Sequence, residues 1–318
     1  MADIRWGFLG AGGISHPLAE AAHAGNGLVL QAVGARDPER AAALEPRRAY
    51  GSYEAVIDDP DVDAIYIGLA NHLHLEWALR AVAAGKPVLC EKPLCLSTAE
   101  VDTLIEAAGR AEVMVVEAMW WRWHPRTREA ERLVASGAIG MVRHAAAGFV
   151  FDADLTGNYR MDPGYGGGAL YDVGCYPISA VQAALGNQQP AEVAVRRRDS
   201  TTGVDLHTDA VLSFVDADAE LSCGFDGPDG QWLVIRGESG ELELPYPTFM
   251  LRHAPGELLL SEGTGTRRIP YAPTDPYRLM LESFSARVRG EEAFVVPLAD
   301  SRSCASVLDA VREAPSAG

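Results

Sequence analysis

The chain has 318 residues, which is longer than one ordinary domain, so its length predicts two domains. Hydrophobic residues make up 48%, aromatic residues 8% and charged residues 22%, a globular composition that excludes collagen-like and disordered chains. The formal net charge of -17 repels phosphate backbones and anionic lipids, so neither nucleic acid nor a membrane surface is expected as a partner.

The cysteines and the N-terminal sequence indicate the compartment. Five scattered cysteines without a Cys-x-x-Cys pair are typical of reduced thiols rather than of a disulfide framework. The first residues predict a strand rather than a signal segment, and no apolar stretch approaches the roughly 20 residues of a membrane span. A cytoplasmic protein is therefore expected.

The first third of the chain alternates short apolar runs with segments of helical spacing. The runs, predicted as strands, are residues 4–9, 28–34, 64–69, 87–90 and 113–116. Between them, helices are predicted up to about residue 25 and at residues 39–44, 74–84 and 98–110. This alternation predicts an α/β fold whose first domain, residues 1–120, is a Rossmann domain with a doubly wound parallel sheet.

Beyond residue 120 the pattern changes to successive strands with little helix between them, at residues 143–151, 192–198, 210–215, 220–224, 232–236 and 241–244. Short turns at residues 226–230 and 238–240 predict an open, mostly antiparallel sheet. Two helices, residues 276–288 and 299–312, end the chain and are candidates for packing back on the first domain. Residues 121–318 are thus predicted to form an α+β substrate-binding domain, with a ligand in the cleft between the domains.

The stretch Gly10-Ala-Gly12-Gly-Ile-Ser15 follows the first predicted strand and opens the first helix. It matches the dinucleotide-binding pattern G-x-G-x-x-G/A, except that Ser15 takes the last small position. Gly10 permits the tight turn, Gly12 lets the backbone approach a pyrophosphate, and the helix N-terminus favours an anion. This context favours dinucleotide binding over an ordinary turn, with contacts from Gly10, Gly12, Gly13, Ile14 and Ser15.

The end of the second strand selects the nicotinamide cofactor, because an acidic residue there binds a ribose 2′-hydroxyl and an arginine accommodates a 2′-phosphate. Ala35 stands where the acidic residue of an NAD enzyme is expected, and Arg36 follows it. Arg36 can form charge-assisted hydrogen bonds to a phosphate, which favours NADP(H). The alternative is that Arg36 is solvated and Asp37 binds the ribose, as in NAD(H) binding.

Leu69 ends another predicted strand, and Asn71 and His74 follow it, at the edge of an open α/β sheet where ligands bind. They are therefore candidate cofactor contacts. A structural role for His74 at the start of a helix is the alternative. A metal site at His72 and His74 is not expected, because no third ligand with suitable spacing lies nearby.

Two further motifs carry chemistry. Glu91-Lys92-Pro93 ends an apolar strand, so it places a cation at the nicotinamide edge of the sheet, followed by a rigid turn. The second motif is Gly166-Gly-Gly-Ala-Leu-Tyr-Asp172-Val-Gly-Cys-Tyr176. If it is helical, Asp172 and Tyr176 share one face, where a carboxylate and a phenol can meet one substrate.

These motifs resemble the glucose-fructose oxidoreductase and inositol dehydrogenase family (Gfo/Idh/MocA), in which a Glu-Lys-Pro supplies the active-site lysine. The glycine-rich motif is similar to the G-G-G-x-L-x-D-x-G-x-H/Y motif of the family's substrate domain. Tyr176, where many relatives have histidine, and the stretch from Glu117 to Pro125 resemble the dihydrodiol dehydrogenase, xylose dehydrogenase and ketosugar reductase branches.

The resemblance implies additional contacts. Trp121 and Arg122 would cover the nicotinamide or shape the pocket, with ordinary interdomain packing as the alternative. The family's loops that reach the cleft imply further contacts from Asn158, Arg160 and Tyr277. The implied cofactor contacts thus include Glu91, Lys92, Trp121, Arg122 and Tyr277, and the implied substrate contacts are Lys92, Asn158, Arg160, Asp172 and Tyr176.

The resemblance implies an NADP-dependent oxidoreductase that moves hydride between the nicotinamide and a carbonyl or hydroxyl carbon of a sugar or polyol. The implied catalytic residues are Tyr176 as proton donor, Lys92 as the cation that polarises the carbonyl, and Asp172 as the orienting group. No metal is expected. A trans-dihydrodiol dehydrogenase-like activity and a non-catalytic NADP(H) sensor are the alternatives. By analogy with the family, a homodimer or homotetramer is expected.

Overall fold

The computed structural model describes residues 2–316, which divide into two compact units. The first unit comprises the chain up to Cys95, Ala99–Trp123 and Asp275–Leu298. The second comprises Leu96–Thr98, His124–Thr274 and the chain from Ala299 onward. The chain thus enters most of the second unit after Trp123 and returns to the first unit for one later segment.

The sheet of the first unit is parallel and has the strand order 3-2-1-4-5-6 within residues 2–316. The order reverses beside the first strand, and open α/β sheets bind ligands at such a switch point, beyond the carboxyl ends of the strands. The third strand is short and largely exposed, and no apolar run marks it in the sequence. The strands are β1 (Ile4–Leu9), β2 (Leu28–Gly34), β3 (Arg48–Tyr50), β4 (Ala64–Ile67), β5 (Val88–Cys90) and β6 (Val115–Glu117).

The helices of the described chain alternate with these strands and recur in the second unit. Helix α8 belongs to the first unit, where the Trp6 indole of β1 donates a hydrogen bond to the Ser285 hydroxyl at 3.2 Å. In chain order the helices are α1 (Ser15–Ala24), α2 (Pro38–Ala42), α3 (Tyr53–Ile57), α4 (His74–Ala83), α5 (Thr98–Ala111), α6 (Pro125–Ala135), α7 (Cys175–Ala184), α8 (Pro276–Val288) and α9 (Leu298–Glu313).

The second unit contains a mostly antiparallel sheet, as predicted, with the order 14-13-12-11-7-10-9-8. One pair is parallel, β7 with β10. Together with the parallel sheet of the first unit, this confirms the predicted α/β fold class. The strands are β7 (Val142–Asp152), β8 (Glu192–Asp199), β9 (Asp205–Ser213), β10 (Asp218–Gly224), β11 (Asp226–Gly237), β12 (Gly240–Leu244), β13 (Gly256–Glu262) and β14 (Gly265–Tyr271).

The connection between β10 and β11 differs from the prediction. Residues 226–230 were predicted as a hairpin turn, but they lie within β11 as an irregular segment with a shift of register. The reason is that β7 lies between the two strands and pairs with both. Gly148 of β7 makes this close packing possible, because the Trp232 ring of β11 occupies the space that a Cβ at Gly148 would need.

Helix α6 carries a buried arginine whose guanidinium is bonded to backbone carbonyl groups. Arg126 is 2% exposed, and its guanidinium donates to the carbonyl oxygens of Pro245, Pro247 and Thr248 at 3.2, 2.9 and 2.7 Å. Burial lowers the pKa of Arg126 to about 10. These three bonds satisfy carbonyl groups in a loop that follows β12, so Arg126 joins that loop to α6.

We expect Arg126→Met to lower the free energy of unfolding by about 3 kcal/mol, because three carbonyl groups lose their donor. Arg132→Met is the matched control, since Arg132 lies on the same helix with a side chain 61% exposed, and it should change stability by less than about 0.5 kcal/mol. Urea unfolding followed by circular dichroism measures both. Equal effects of the two substitutions would contradict this role of Arg126.

Candidate active site

The glycine-rich loop joins β1 to α1 at the carboxyl edge of the parallel sheet. Gly10 has a φ of +102°, and a Cβ there would lie 2.5 Å from the Gly68 carbonyl oxygen, so only glycine fits. The Ser15 hydroxyl donates to the Gly10 carbonyl at 2.9 Å. A Cβ at Gly12 or Gly13 would meet no atom within 4 Å. The backbone of the loop therefore faces open space, which fits the pyrophosphate of a dinucleotide.

The first turn of α1 and the outside of the loop complete this region. Ile14 precedes α1 and provides no side-chain cap, and the Ser15 N–H donates to the Gly12 carbonyl at 3.0 Å. The partial positive charge at the N-terminus of α1 favours an anion. The Arg40 guanidinium donates to the Ala11 carbonyl at 2.9 Å and braces the loop. The sequence analysis missed Arg40, because the contact spans 29 residues.

Arg36 and Asp37 are both exposed, directly after β2. The end of β2 is tied to the glycine-rich loop, because the Gly10 N–H donates to the Gly34 carbonyl at 2.8 Å. The Asp37 carboxylate accepts the N–H of Glu39 at 3.0 Å and caps α2. Asp37 thus has a local structural use, while Arg36 lies at the surface near the loop.

Lys92 lies in a turn, residues 91–94, that we call the lysine turn; its Lys92–Pro93 peptide is cis. Three side chains bond its backbone. Glu91 accepts the N–H of Lys92 at 3.3 Å, Glu117 at the end of β6 accepts the N–H of Leu94 at 2.9 Å, and His74 Nδ1 lies 2.8 Å from the Pro93 oxygen. Glu91 and Leu94 are buried, whereas Lys92 is half-buried. The backbone of the lysine turn is therefore held in place by these buried side chains.

His74 links the lysine turn to the end of β4. Its Nε2 lies 3.1 Å from the Leu69 carbonyl oxygen, so both ring nitrogens face backbone oxygens of the protein. The ring is fully buried, which lowers the pKa of His74 to about 4. These contacts are those of a structural histidine, and cofactor contacts by His74, Leu69 and Asn71 remain predictions. Leu69 and Asn71 are half-buried beside it.

Glu91 is bonded on both oxygens. The hydroxyl of buried Tyr66 donates to Oε1 at 2.9 Å, and Oε2 accepts the Lys92 N–H. Burial raises the pKa of Glu91 to about 7. The sequence analysis assigned no role to Tyr66 or Glu117. Glu117 lies at the end of buried strand β6, just as Glu91 directly follows β5. A polar residue at the end of a buried strand is the signal that could have identified Glu117.

The turn of residues 120–123 packs on α8 and on the segment after it, within the first unit. The Trp120 and Tyr277 rings are 4.5 Å apart, and the Arg122 guanidinium carbon lies 5.8 Å from the centre of the Phe294 ring. Trp121, Arg122 and Tyr277 are 3, 6 and 5% exposed. These contacts lie within the first unit, and a cofactor contact by any of the three remains a prediction.

In the second unit, Asp172 and Tyr176 lie on one helical segment, which starts with a π-helical turn at Leu170–Gly174 and continues as α7. The Arg160 Nε donates to Asp172 Oδ2 at 2.6 Å, and the Asn158 side chain accepts the N–H of Arg160 at 3.1 Å. The structure therefore brings Asn158, Arg160 and Asp172 together, and their contacts with a substrate remain predictions.

The electrostatics of this group favour a charged Arg160. Burial lowers the pKa of Arg160, but the charge and hydrogen bond of Asp172 outweigh it, so the pKa lies above its ordinary value. Tyr176 is 4% exposed, and its ring packs 5.5 Å from Phe149 and 5.7 Å from Phe249. A carboxylate, a guanidinium and a phenol are thus held on or beside one helix.

Three further observations concern the described residues only. Within residues 2–316 no group of three or more His, Cys, Asp or Glu side chains could hold a metal ion. No helix in the same range is long and apolar enough to cross a bilayer. The five cysteines are all buried.

Opposed pH dependences should arise from His74 and Glu91. A pKa of about 4 for His74 makes stability rise with pH up to about 6.5, because only the unfolded chain binds the proton there. A pKa of about 7 for Glu91 makes stability fall as pH rises from about 4.5 to 7, because there the folded state binds the proton. In wild-type protein the two slopes offset each other.

Glu91→Gln should therefore make stability rise more steeply between pH 5 and 6.5 than in wild type, and His74→Gln should make it rise less, each by about 1 kcal/mol per pH unit. Urea unfolding at several pH values measures the slopes. His72→Gln, a substitution of an exposed histidine in the same turn, is the control and should leave the wild-type slope. Identical slopes in all variants would refute this assignment.

Comparison with known proteins agrees with this geometry in both units. Residues 4–119 match the model of an oxidoreductase family with an NAD-binding Rossmann fold, and residues 127–243 match the GFO/IDH/MocA C-terminal domain. D-xylose 1-dehydrogenase (NADP(+)) 2 of Haloferax volcanii is 34% identical, over 99% of this chain and 98% of its own. Trans-1,2-dihydrobenzene-1,2-diol dehydrogenase of Xenopus tropicalis is 29% identical, over 96% of each chain.

A solved structure shows the same fold. The 3-ketoreductase KijD10 of Actinomadura kijaniata, crystallised with NADP and TDP-benzene, superposes with a TM-score of 0.86 at 28% identity, over 98% of this chain and 97% of that protein. The confirmed parts of the sequence-based interpretation are the fold class, the oxidoreductase class and the family. The chain belongs to the GFO/IDH/MocA family of oxidoreductases with an NAD-binding Rossmann domain.

Proposed function

We propose that this chain is an NADP(H)-dependent oxidoreductase that transfers hydride between the nicotinamide and a carbonyl or hydroxyl carbon of a sugar or polyol. The observation that carries the proposal is the site chemistry. Lys92 lies in a braced turn at the ligand-binding edge of the Rossmann sheet, and Asp172 is paired with Arg160 one helical turn before Tyr176. Relatives named xylose dehydrogenase and 3-ketoreductase support the substrate class.

In this proposal the bound cofactor supplies the hydride, and the chain positions the reactants and manages the proton. Gly12 and Gly13 leave room for the pyrophosphate, and Arg36 pairs with the 2′-phosphate of NADP(H). In the reducing direction Tyr176 donates its phenolic proton to the forming alkoxide oxygen. Lys92 is the cation proposed to polarise the carbonyl.

Arg160 and Asp172 orient the substrate in the same proposal. Arg160 is paired with Asp172, and the Asp172 carboxylate accepts hydrogen bonds from substrate hydroxyl groups. Asn158 fixes the backbone of Arg160 and so maintains the pair. A sugar or polyol offers hydroxyl donors next to the reacting carbon, and this arrangement suits such a substrate better than an apolar one.

The second candidate is an activity like that of trans-dihydrodiol dehydrogenase, favoured by the 29% identity to the Xenopus tropicalis enzyme. Its substrate, like a sugar, carries adjacent hydroxyl groups, so the two candidates share the site chemistry. The proposal also includes a homo-oligomer, supported by Val211 and Trp232, which are 47 and 38% exposed on the sheet of the second unit.

Substitution of Arg36 tests the cofactor preference. Arg36→Ala should raise the dissociation constant for NADPH about 30-fold and leave that for NADH within about 2-fold, because only NADPH carries the phosphate. Fluorescence titration with both cofactors measures the change. Arg47→Ala, a substitution of an exposed arginine in the same unit, is the control and should change neither constant. Equal loss for both cofactors would reject the assignment.

Substitution of Tyr176 tests the proton donor. Tyr176→Phe should lower kcat about 1000-fold, the contribution of a positioned general acid, with NADPH binding unchanged. The matched control is Tyr171→Phe, because Tyr171 lies in the same helical segment and its hydroxyl is bonded to the Leu96 carbonyl at 2.8 Å. Turnover of a panel of aldoses, ketosugars and inositols, followed by NADPH absorbance, measures kcat. Full turnover by Tyr176→Phe would remove Tyr176 from the mechanism.

A further inference from the structure

The helical segment that carries Asp172 and Tyr176 begins without a cap from its own sequence. Gly166, Gly167 and Gly168 precede it and have no side chains, and Ala169 makes no capping bond. The first N–H groups of a helix need an acceptor from outside the helix. This acceptor must therefore come from another part of the chain.

Asp205, the first residue of β9, supplies that acceptor. Its Oδ2 accepts the N–H of Leu170 at 2.8 Å and the hydroxyl hydrogen of Thr208 at 2.8 Å. The contact with Leu170 spans 35 residues, so it joins β9 to the helical segment. A carboxylate at this end of a helix is also favoured by the helix dipole.

Asp205 also explains why a glycine stands before the helical segment, at position 168. Gly168 has a φ of +110°, and a Cβ there would overlap Asp205 Oδ1. A Cβ at Gly167 would collide with the backbone of Arg160, and the N–H of Gly168 donates to the Arg160 carbonyl at 2.9 Å. Asp205 and the backbone of Arg160 therefore pack directly against the start of the helical segment.

We propose that Asp205 is a positioning residue, which holds the start of the helical segment so that Asp172 and Tyr176 meet the substrate in the reactive geometry. This inference rests on the proposed function of those two residues. The connection from Asp205 to Asp172 is short, because Gly168 packs against Asp205 and the N–H of Asp172 donates to the Gly168 carbonyl at 3.1 Å. A displacement of about 1 Å in a catalytic group can cost about 100-fold in rate.

The test compares three substitutions in β9. Asp205→Ala removes the acceptor and should lower kcat about 30-fold, with KM for NADPH within about 2-fold, since the first unit is untouched. Asp205→Asn keeps the shape and one acceptor oxygen, so kcat should stay within about 3-fold of wild type. Asp209→Ala removes an exposed carboxylate from the same strand and should leave kcat unchanged.

Thr208→Val gives a second test that does not depend on the folding of Asp205→Ala. It removes the second partner of the Asp205 carboxylate while Leu170 keeps its acceptor, and kcat should fall about 5-fold. A role limited to stability would lower the melting temperature of these variants and leave kcat per folded molecule at the wild-type value. That result would overturn the inference.

Tyr176→Phe is measured beside these variants to separate the two claims. If Tyr176→Phe loses turnover and Asp205→Ala does not, the positioning inference alone is wrong. If Tyr176→Phe keeps full turnover, the proposed function of the site fails first. The inference is supported when Asp205→Ala loses kcat, Asp205→Asn recovers it and NADPH binding stays constant in both.

Discussion

The backbone of the lysine turn is bonded by buried side chains from the turn itself and from two neighbouring elements. Glu91 follows β5, Glu117 ends β6 and His74 begins α4, and each reaches one polar backbone group of residues 92–94. Parallel strands in adjacent positions bring these ends together, so the strand order of the sheet positions Lys92. Since the supporting groups are buried, the lysine is the half-buried member of the turn.

The second unit holds its reactive groups by the same physical means. A carboxylate from a distant strand, Asp205, accepts a backbone N–H at the start of the segment that carries Tyr176, as Glu117 does for the lysine turn. A glycine with positive φ allows the close approach in each unit, at Gly10 and at Gly168. In both units, carboxylates that accept backbone N–H groups therefore hold the segments that carry the candidate catalytic residues.

Local patterns in the sequence predicted the parts of the structure that depend on neighbouring residues. The apolar runs located β1 and β2, and the spacing of Gly10 and Gly12 located the loop between β1 and α1. Contacts between distant residues left no such pattern. The place of β7 between β10 and β11, the partners of His74, and the contact of Asp205 with Leu170 depend on pairing across the fold, so the sequence alone could not show them.

The most direct measurement of the central claim is isotope transfer. NADPH carrying deuterium at C4 of the nicotinamide is incubated with the protein and a set of aldoses, ketosugars and dihydrodiol-derived ketones, and the products are analysed by mass spectrometry. The account predicts that one class of carbonyl compound gains a single deuterium on the new carbinol carbon. Bound NADPH with no label transferred to any of these compounds would contradict it.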